Sequence, residues 1–396
     1  MISNNWKKNI ETVVEMPPLT PFHPSVISFL QMLSKTILKD HTYRSYPELI
    51  ALAYWLRKAH IQEMKDHFLR NAENNVHMAR GVALHFAPSN VDTIFVYSWV
   101  LSLLAGNNNI LRISGRKQDQ TELLINAVLK ALNESKEIAD RTAIVTYEHN
   151  DEITQYLSER CHVRVIWGGD QTVRLIRSIP LSPLATELVF PDRFSLSVFD
   201  AKAVTDTNVG EMREFIHRFY NDGFWFSQMA CSSPRMIVWV GEEERVKKAQ
   251  SRFWEQLDIH LNTFLNEISS SLQVQKLTTG YLLSTKESVV KFEHKLNFSR
   301  LVADSVDDEM RDRHCGGGLF IETVVPELID LVSLLQDKDQ TLSYFGFSHQ
   351  ELIRFAKNMK NRSIDRIVPV GQALDFEGVW DGYDLLRQFT RQIVIR

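Results

Sequence analysis

The chain of 396 residues contains 44% hydrophobic and 24% charged residues and has a formal net charge of −4. This balance is typical of a folded globular protein, excludes a disordered chain, and at this length predicts more than one core. A nucleic-acid surface needs clustered lysine and arginine, so the net charge gives no reason to expect nucleic acid as a partner.

Cysteine content and apolar runs bear on the location of the protein. None of the three cysteines lies in a CxxC pair, so we expect no disulfide framework, no metal site and a reducing, cytoplasmic location. Residues 1–19 lack the pattern of a secretory signal. The longest apolar run, residues 93–106, is too short to span a bilayer and is interpreted as a buried helix.

The first part of the chain, residues 1–78, is predicted to be helical. The stretches HPSVISFLQMLSKTIL and PELIALAYWLRKAHIQEMKDHFL both carry apolar residues at helical spacing. We expect this segment to pack on the core that follows.

Strands and helices alternate from residue 79 onward. RGVALHFAPS is interpreted as a strand, residues 91–105 as a helix and NNILRIS as a second strand, which makes one βαβ unit. The pattern recurs through TAIVTY, VRVIWGG, TELVF and SLSVFDA. Such alternation predicts an α/β domain over residues 79–205 with a mostly parallel sheet and helices on both faces.

A second α/β domain is predicted over residues 206–370. It begins with the helix GEMREFIHRFY and continues through the strands MIVWVG, GLFIETVV, LSYFGF and DRIVPV. Residues 371–396 are interpreted as a C-terminal segment that returns to the core.

The stretch QMACSSPR places Cys231 between small residues, just before a predicted strand. A thiolate is a strong nucleophile and a good acyl acceptor, and small neighbours would let a substrate carbonyl approach it. The alternative is a buried core thiol. Cys161 precedes a strand and is interpreted as core. Cys315, beside His314 and three glycines, is interpreted as part of a turn.

Asn90 stands where the first strand of the βαβ unit gives way to a helix. The carboxyl ends of parallel strands collect the active groups of α/β folds, and an amide there can donate a hydrogen bond to a developing oxyanion. The alternative is that Asn90 only caps the helix.

Two stretches have features of phosphate binding. GNNNILRISGRK ends a strand with Arg112, Ser114, Arg116 and Lys117, a cluster that could hold the 2′-phosphate of NADP or could be a solvated basic loop. WGGDQTVRLI is a glycine turn that opens a helix, where free N–H groups can bind phosphate, although it is not a GxGxxG motif.

Taken in chain order, strand–SN–helix, GNNNILRIS, WGGDQT and QMACSSPR resemble the aldehyde dehydrogenase superfamily. Within it they are most similar to the LuxC-type acyl-CoA reductases, the reductase component of bacterial bioluminescence fatty-acid reductase. DRIVPVGQALDFEGVWDGYDLL and PELIALAYWLRKAHI are typical of that group. The resemblance runs from about residue 17 to the C-terminus. It implies an aldehyde dehydrogenase-like α/β fold, with a Rossmann-like cofactor domain over 79–205 and a catalytic domain over 206–370.

The resemblance also implies roles for individual residues. Cys231 takes the place of the nucleophile, and Asn90 that of the oxyanion donor beside the Cys231 N–H. The implied cofactor-binding residues are Arg112 and Ser114 at the adenosine ribose, Arg116 and Lys117 nearby, Gly168, Gly169 and Thr172 near the pyrophosphate, and Glu322 at the nicotinamide ribose.

One departure from the superfamily bears on mechanism. Aldehyde dehydrogenases carry Glu-Leu-Gly-Gly upstream of the cysteine, and that Glu activates the water that hydrolyses the acyl-enzyme. In this chain the matching position falls near Val189, and the sequence does not choose between Glu187 and Asp192 as substitutes. Loss of this base is consistent with a reductase, whose acyl-enzyme must wait for hydride.

The resemblance therefore implies NADPH-dependent reduction of a long-chain acyl-CoA, or of an acyl group on a partner protein, to an aldehyde through an acyl-cysteine. An acyl-protein synthetase partner and a homo-oligomer are implied with it. Three alternatives are a CoA-acylating aldehyde dehydrogenase running oxidatively, an inactive scaffold for an acyl-activating partner, and a cysteine hydrolase with His217 as base. The aromatic residues 224–226 could line an acyl tunnel or belong to the core.

Overall fold

A computed structural model describes residues 6–70, 75–88, 93–115, 119–265 and 268–396. The chain divides into two compact units. The first comprises residues 1–192 and 376–396, and the second comprises residues 193–375.

Helices and strands are numbered along the chain, for the described residues only. The helices are α1 (Trp6–Glu15), α2 (Pro24–Lys39), α3 (Pro47–Trp55), α4 (Lys58–Leu69), α5 (Ile94–Leu104), α6 (Asp119–Asn133), α7 (Lys136–Ala139), α8 (Asp151–Ser158), α9 (Asp170–Arg177), α10 (Ala201–Asp206), α11 (Val209–Phe224), α12 (Glu243–Phe264), α13 (Ser270–Leu283), α14 (Asp308–Asp312), α15 (His349–Lys357) and α16 (Leu385–Gln388). The strands are β1 (Asn75–Ala79), β2 (Val82–Phe86), β3 (Asn108–Arg112), β4 (Thr142–Val145), β5 (Val163–Trp167), β6 (Thr186–Phe190), β7 (Phe194–Asp200), β8 (Pro234–Val240), β9 (Val289–His294), β10 (Ser299–Ala303), β11 (Leu319–Val325), β12 (Asp339–Phe345), β13 (Arg366–Pro369), β14 (Val379–Trp380), β15 (Tyr383–Asp384) and β16 (Thr390–Val394).

The first unit is built on a five-stranded parallel sheet of order β4-β3-β2-β5-β6. All residues of β2 and β5 are buried, as expected for central strands covered on both faces. Every residue of α5 is buried as well, so the long apolar run is a core helix, as the sequence predicts. Within the described ranges, no helix is both long and apolar enough to cross a membrane.

The asparagines of the GNNN stretch are structural groups of this unit. Asn107 accepts from the N–H of Gly81 at 2.9 Å, and Asn108 donates to the carbonyl of Met16 at 2.6 Å. Asn109 lies 3.0 Å from Nε2 of His85, whose pKa is lowered by burial to about 4. The three amides thus satisfy polar groups inside the core, where an unpaired group would be costly.

The first unit also contains both ends of the chain. β1 pairs with β16 in antiparallel register, with Ala79 opposite Thr390. Tyr97 on α5 donates its hydroxyl to the carbonyl of Glu377, which begins the return of the C-terminal segment. Helices α1 to α4 precede β1, in the region predicted to be helical.

The second unit is built on a seven-stranded sheet of order β13-β12-β7-β8-β11-β10-β9. All neighbours are parallel except β9 and β10. Because β7 pairs with β8 and β12, residues 193–205 belong to this unit, whereas the sequence reading placed them in the first domain. Phe199, Trp239 and Phe253 pack edge to face or tilted in its core.

Candidate active site

Cys231 lies in a turn between α11 and β8 of the second unit. Asn208 and Glu211 form a capping box that begins α11, and a short 3-10 turn follows the helix at residues 225–228. Of the three cysteines, which all fall in the described ranges, Cys231 is partly exposed and the other two are buried. Of the three cysteines, it is therefore the one most open to a substrate.

The backbone just before Cys231 has an unusual conformation. Phe226, Ser227 and Gln228 have φ angles of 52°, 52° and 63°. Left-handed backbone costs a non-glycine residue about 1–2 kcal/mol, and three in succession persist only where surrounding contacts hold them. Such strain is concentrated at functional sites.

The side chain of Gln228 is one of those contacts. It is fully buried, and its amide nitrogen donates to the carbonyls of Pro234 and Leu319, both at 2.9 Å. Its amide oxygen accepts from the N–H of Gly318, also at 2.9 Å. Gln228 thus ties the turn to the first residues of β8 and β11.

Ser195 holds the other side of the turn. Its buried hydroxyl donates to the carbonyl of Cys231 at 2.6 Å and accepts from the N–H of Thr341 at 3.2 Å. The carbonyl of the cysteine is therefore fixed to β7 and β12. Sequence reasoning found neither Ser195 nor a role for Gln228.

The environments of the two other cysteines do not favour catalysis. Burial raises the pKa of Cys161 to about 12 and also raises the pKa of Cys315. A thiol acts as a nucleophile only when it is deprotonated.

His314, the neighbour of Cys315, has a structural role. Its Nδ1 accepts from the N–H of Gly316 at 3.2 Å, which leaves Nε2 to donate to the carbonyl of Leu319 at 2.9 Å. Burial, together with the nearby Arg235, lowers the pKa of His314 to about 3. His314 is therefore a neutral imidazole that holds the glycine turn, which agrees with the interpretation of Cys315 as part of a turn.

His217, the base of the hydrolase alternative, lies on the exposed side of α11. Its ring is 5.6 Å from the ring of His260 on α12. The contact that the structure gives for His217 is therefore one on the surface of α11 and α12, with another histidine.

Glu322 lies on β11 and is fully buried. One carboxylate oxygen accepts from Arg300 at 2.6 Å, and the other accepts from Trp239 at 2.8 Å and Gln250 at 3.1 Å. Protein groups thus surround this carboxylate, and the predicted role of Glu322 at the nicotinamide ribose gains no support from its geometry.

Several predicted cofactor residues lie at the carboxyl edge of the five-stranded sheet. Arg112 ends β3 and donates to the carbonyl of Tyr147 at 2.9 Å, and the half-buried Ser114 follows it. Gly168 and Gly169 lie between the end of β5 and the start of α9. Strand β2 has β3 on one side and β5 on the other, and ligands bind at such switch points in α/β sheets.

The glycine turn before α9 is open beside Gly169. A side chain at Gly169 would meet nothing within 4 Å, whereas one at Gly168 would be 3.2 Å from the Thr172 side chain. Gly169 caps the N-terminus of α9, where backbone N–H groups and the helix dipole favour an anion. The residues present therefore fit the pyrophosphate of a dinucleotide.

Three of the predicted site residues cannot be placed in the structure. Asn90, Arg116 and Lys117 lie outside the described residues. Their predicted roles, oxyanion donor for Asn90 and phosphate binding for the two basic residues, stay predictions.

Glu187, a candidate for the water-activating base, is engaged elsewhere. Its carboxylate contacts Arg164 at 2.5 Å and Arg177 at 3.0 Å. Asp192 is exposed, and Val189 is a half-buried residue of β6. The carboxylate of Glu187 therefore serves an ion-pair network in the first unit.

Comparison with known proteins shows both a family and a fold. A sequence model of the acyl-CoA reductase (LuxC) family matches residues 57–392. No curated protein matches the chain in sequence.

Among solved structures, a lactaldehyde dehydrogenase is 14% identical, with 99% of this chain and 90% of that chain covered and a TM-score of 0.68. A 1-pyrroline-5-carboxylate dehydrogenase of Thermus thermophilus is 13% identical, with 98% and 83% covered and a TM-score of 0.68. An NADP-dependent enzyme of E. coli is 11% identical, with 99% and 90% covered and a TM-score of 0.68. At these identities the likeness concerns the fold, and it confirms the predicted aldehyde dehydrogenase-like α/β fold.

Proposed function

Because the chain belongs to the acyl-CoA reductase (LuxC) family, we propose that it reduces fatty acyl thioesters to aldehydes through an acyl group carried on Cys231. Family membership makes the chain an oxidoreductase that acts on acyl-CoA and forms aldehyde. The covalent route, the choice of NADPH and the long acyl chain are what we add.

The exposure of Cys231 is the observation that carries the covalent route. It is the accessible thiol of the three, and its turn is held by buried contacts on both sides. A nucleophile held in a productive geometry reacts far faster than a free one, because the cost of orientation is met in advance. These features support Cys231 as the acyl acceptor.

In the proposed reaction the thiolate of Cys231 attacks the carbonyl carbon of the acyl thioester. The bond between that carbon and the sulfur of coenzyme A, or of an acylated partner protein, then breaks, and the leaving thiolate takes up a proton. Asn90 and the backbone N–H of Cys231 stabilise the oxyanion. A nicotinamide cofactor, when bound, supplies the hydride. The resulting hemithioacetal breaks its bond to Sγ and releases the aldehyde.

Residues of the first unit would hold that cofactor. The N-terminus of α9 with Gly168, Gly169 and Thr172 suits the pyrophosphate. We assign Arg112 and Ser114 to the adenosine ribose, and we assign Arg116 and Lys117 to the 2′-phosphate that distinguishes NADPH from NADH.

The engaged carboxylate of Glu187 supports reduction over hydrolysis. Its carboxylate oxygens are held in ion pairs with Arg164 and Arg177, so they are not directed at a water beside the acyl group. An acyl-enzyme without an activated water survives until hydride arrives. We extend the proposal to a cytoplasmic homo-oligomer that receives acyl groups from an acyl-protein synthetase, on the strength of the family resemblance.

A second candidate function is the reverse reaction, CoA-acylating aldehyde oxidation. The observation in its favour is that solved structures with this fold include dehydrogenases of lactaldehyde and of 1-pyrroline-5-carboxylate.

A steady-state assay in both directions tests the proposed function. Purified protein would be given acyl-CoA of several chain lengths with NADPH or NADH, and separately a fatty aldehyde with CoA and NADP or NAD. We expect aldehyde from long-chain acyl-CoA, with a higher kcat/KM for NADPH than for NADH. Faster acyl-CoA formation from aldehyde would favour the oxidative candidate instead.

A further inference from the structure

We propose that Ser195 is a positioning residue for Cys231, acting with Gln228 to fix the direction of the nucleophilic thiol. This inference rests on the proposed function, in which Cys231 carries the acyl group. It adds two residues that neither the sequence motif nor the family match assigns.

The contact of Ser195 is made with the cysteine's own backbone. Its hydroxyl lies 2.6 Å from the carbonyl oxygen of Cys231, a short hydrogen bond by the standards of hydroxyl donors. Fixing this carbonyl fixes the peptide plane that follows Cys231 and therefore limits the directions open to its Cα–Cβ bond. The thiol is oriented through the main chain without being touched.

The hydroxyl of Ser195 is itself held from the opposite side. The N–H of Thr341 on β12 donates to it at 3.2 Å, so the donor proton is directed at the carbonyl of Cys231. Ser195 is fully buried, and a buried hydrogen bond resists competition from water. The position of the hydroxyl is therefore set by the sheet.

The sheet is locally irregular at this residue. The pairing of β7 with β8 shifts register between Ser195 and Leu196, and the pairing of β12 with β7 shifts between Asp339 and Leu342. Such bulges redirect side chains and occur next to active sites. The irregularity explains how a strand residue can reach a turn carbonyl.

Gln228 restrains the chain on the amino side of the cysteine. The amide nitrogen of its side chain donates to the carbonyls of Pro234 and Leu319, and the amide oxygen accepts from the N–H of Gly318. These hydrogen bonds lie at the end of the left-handed segment 226–228 and help to hold a backbone that would otherwise be unfavourable. Cys231 is thus restrained on both sides.

The sheet offers a matched control for Ser195. Ser197, two residues further along β7, is equally buried, and its hydroxyl lies 2.6 Å from that of Ser343 on β12. Ser197→Ala removes a buried hydroxyl and its cross-strand bond without touching Cys231. Both alanine variants should therefore lose comparable stability, and only one should alter the thiol.

The experiment compares native protein, Ser195→Ala and Ser197→Ala by two readouts. The first is the rate of Cys231 alkylation by iodoacetamide across pH, located by peptide mass spectrometry. The second is the rate of acyl loading from a long-chain acyl-CoA. We expect acyl loading in Ser195→Ala to fall by about tenfold, as for a slightly misplaced reacting group, with an altered alkylation profile. Ser197→Ala should stay close to the native protein in both readouts.

Equal behaviour of the two variants in both readouts would overturn the positioning role. If the native protein accepts no acyl group, the proposed function fails, and the alkylation profiles still decide the role of Ser195. Gln228→Glu provides a second test, because it keeps the acceptor for Gly318 and places a carboxylate oxygen against two carbonyls. We expect slower Cys231 alkylation in that variant, and a native rate would contradict its role.

Discussion

The sequence and the structure indicate different roles for Glu322. The superfamily motif implies contact with a cofactor, yet the carboxylate is fully buried and bonded to Arg300, Trp239 and Gln250. If the charge of Glu322 is removed, Arg300 keeps a second carboxylate partner in Glu293 at 2.8 Å. The main cost is then a lost acceptor for buried donors, since an amide at this position has only one acceptor oxygen.

We expect Glu322→Gln to lower the free energy of unfolding by about 2 kcal/mol and to leave the KM for NADPH of the folded protein unchanged. Denaturant unfolding and steady-state kinetics measure the two effects. Glu309→Gln is a suitable control, because Glu309 pairs with Arg313 and Lys286 near the surface, where ion pairs contribute little. A raised KM for NADPH with native stability would support the role at the nicotinamide ribose.

The residues that hold the cysteine turn differ in how far sequence could reveal them. Gln228 belongs to the QMACSSPR stretch, so the sequence shows a polar residue three positions before Cys231. The sequence does not show which groups this residue contacts. Ser195 gave no signal, because its contact joins residues 36 positions apart. Contacts of that kind depend on which strands become neighbours in the sheet.

At the scale of elements, the GNNN stretch is explained by the close approach of two backbone segments. Gly106 has a φ of 92°, and its carbonyl accepts from the N–H of Leu19 at 2.8 Å. A side chain at this position would lie 2.2 Å from the carbonyl oxygen of Leu19. Only glycine fits at position 106, between α5 and β3.

We expect Gly106→Ala to lower the free energy of unfolding by about 2 kcal/mol or more, from the left-handed backbone and the clash together. Gly378→Ala is the matched control, because a side chain there would meet nothing within 4 Å. Thermal or denaturant unfolding of both variants checks this. A native midpoint for Gly106→Ala would show that the two segments can separate at little cost.

The sequence predicted most strands of the five-stranded and seven-stranded sheets because each is a short apolar run bounded by turns or helices. It did not predict α12 or the edge strand β9. Helix α12 buries Val246, Ala249, Phe253 and Leu257 at helical spacing, a periodic signal that was present. Strand β9 alternates weakly and has no fully buried residue, so periodicity gives little sign of it.

At the scale of the whole molecule, the second unit interrupts the sequence of the first, which resumes at residue 376. The pairing of β1 with β16 joins segments on either side of that insertion, and no local pattern in either segment indicates such a partner. The proposed nucleophile, Cys231, lies in the second unit, and the residues proposed to hold the pyrophosphate, Gly168, Gly169 and Thr172, lie in the first. The proposed reaction therefore requires the full chain.

The most direct test of an acyl group carried on Cys231 is the intact mass of the protein after incubation with a long-chain acyl-CoA and no nicotinamide cofactor. We predict a single acyl adduct that is absent in Cys231→Ala and is discharged by NADPH with formation of aldehyde. An unchanged mass across several chain lengths and with an acylated partner protein as donor, or an adduct that persists in Cys231→Ala, would contradict the account.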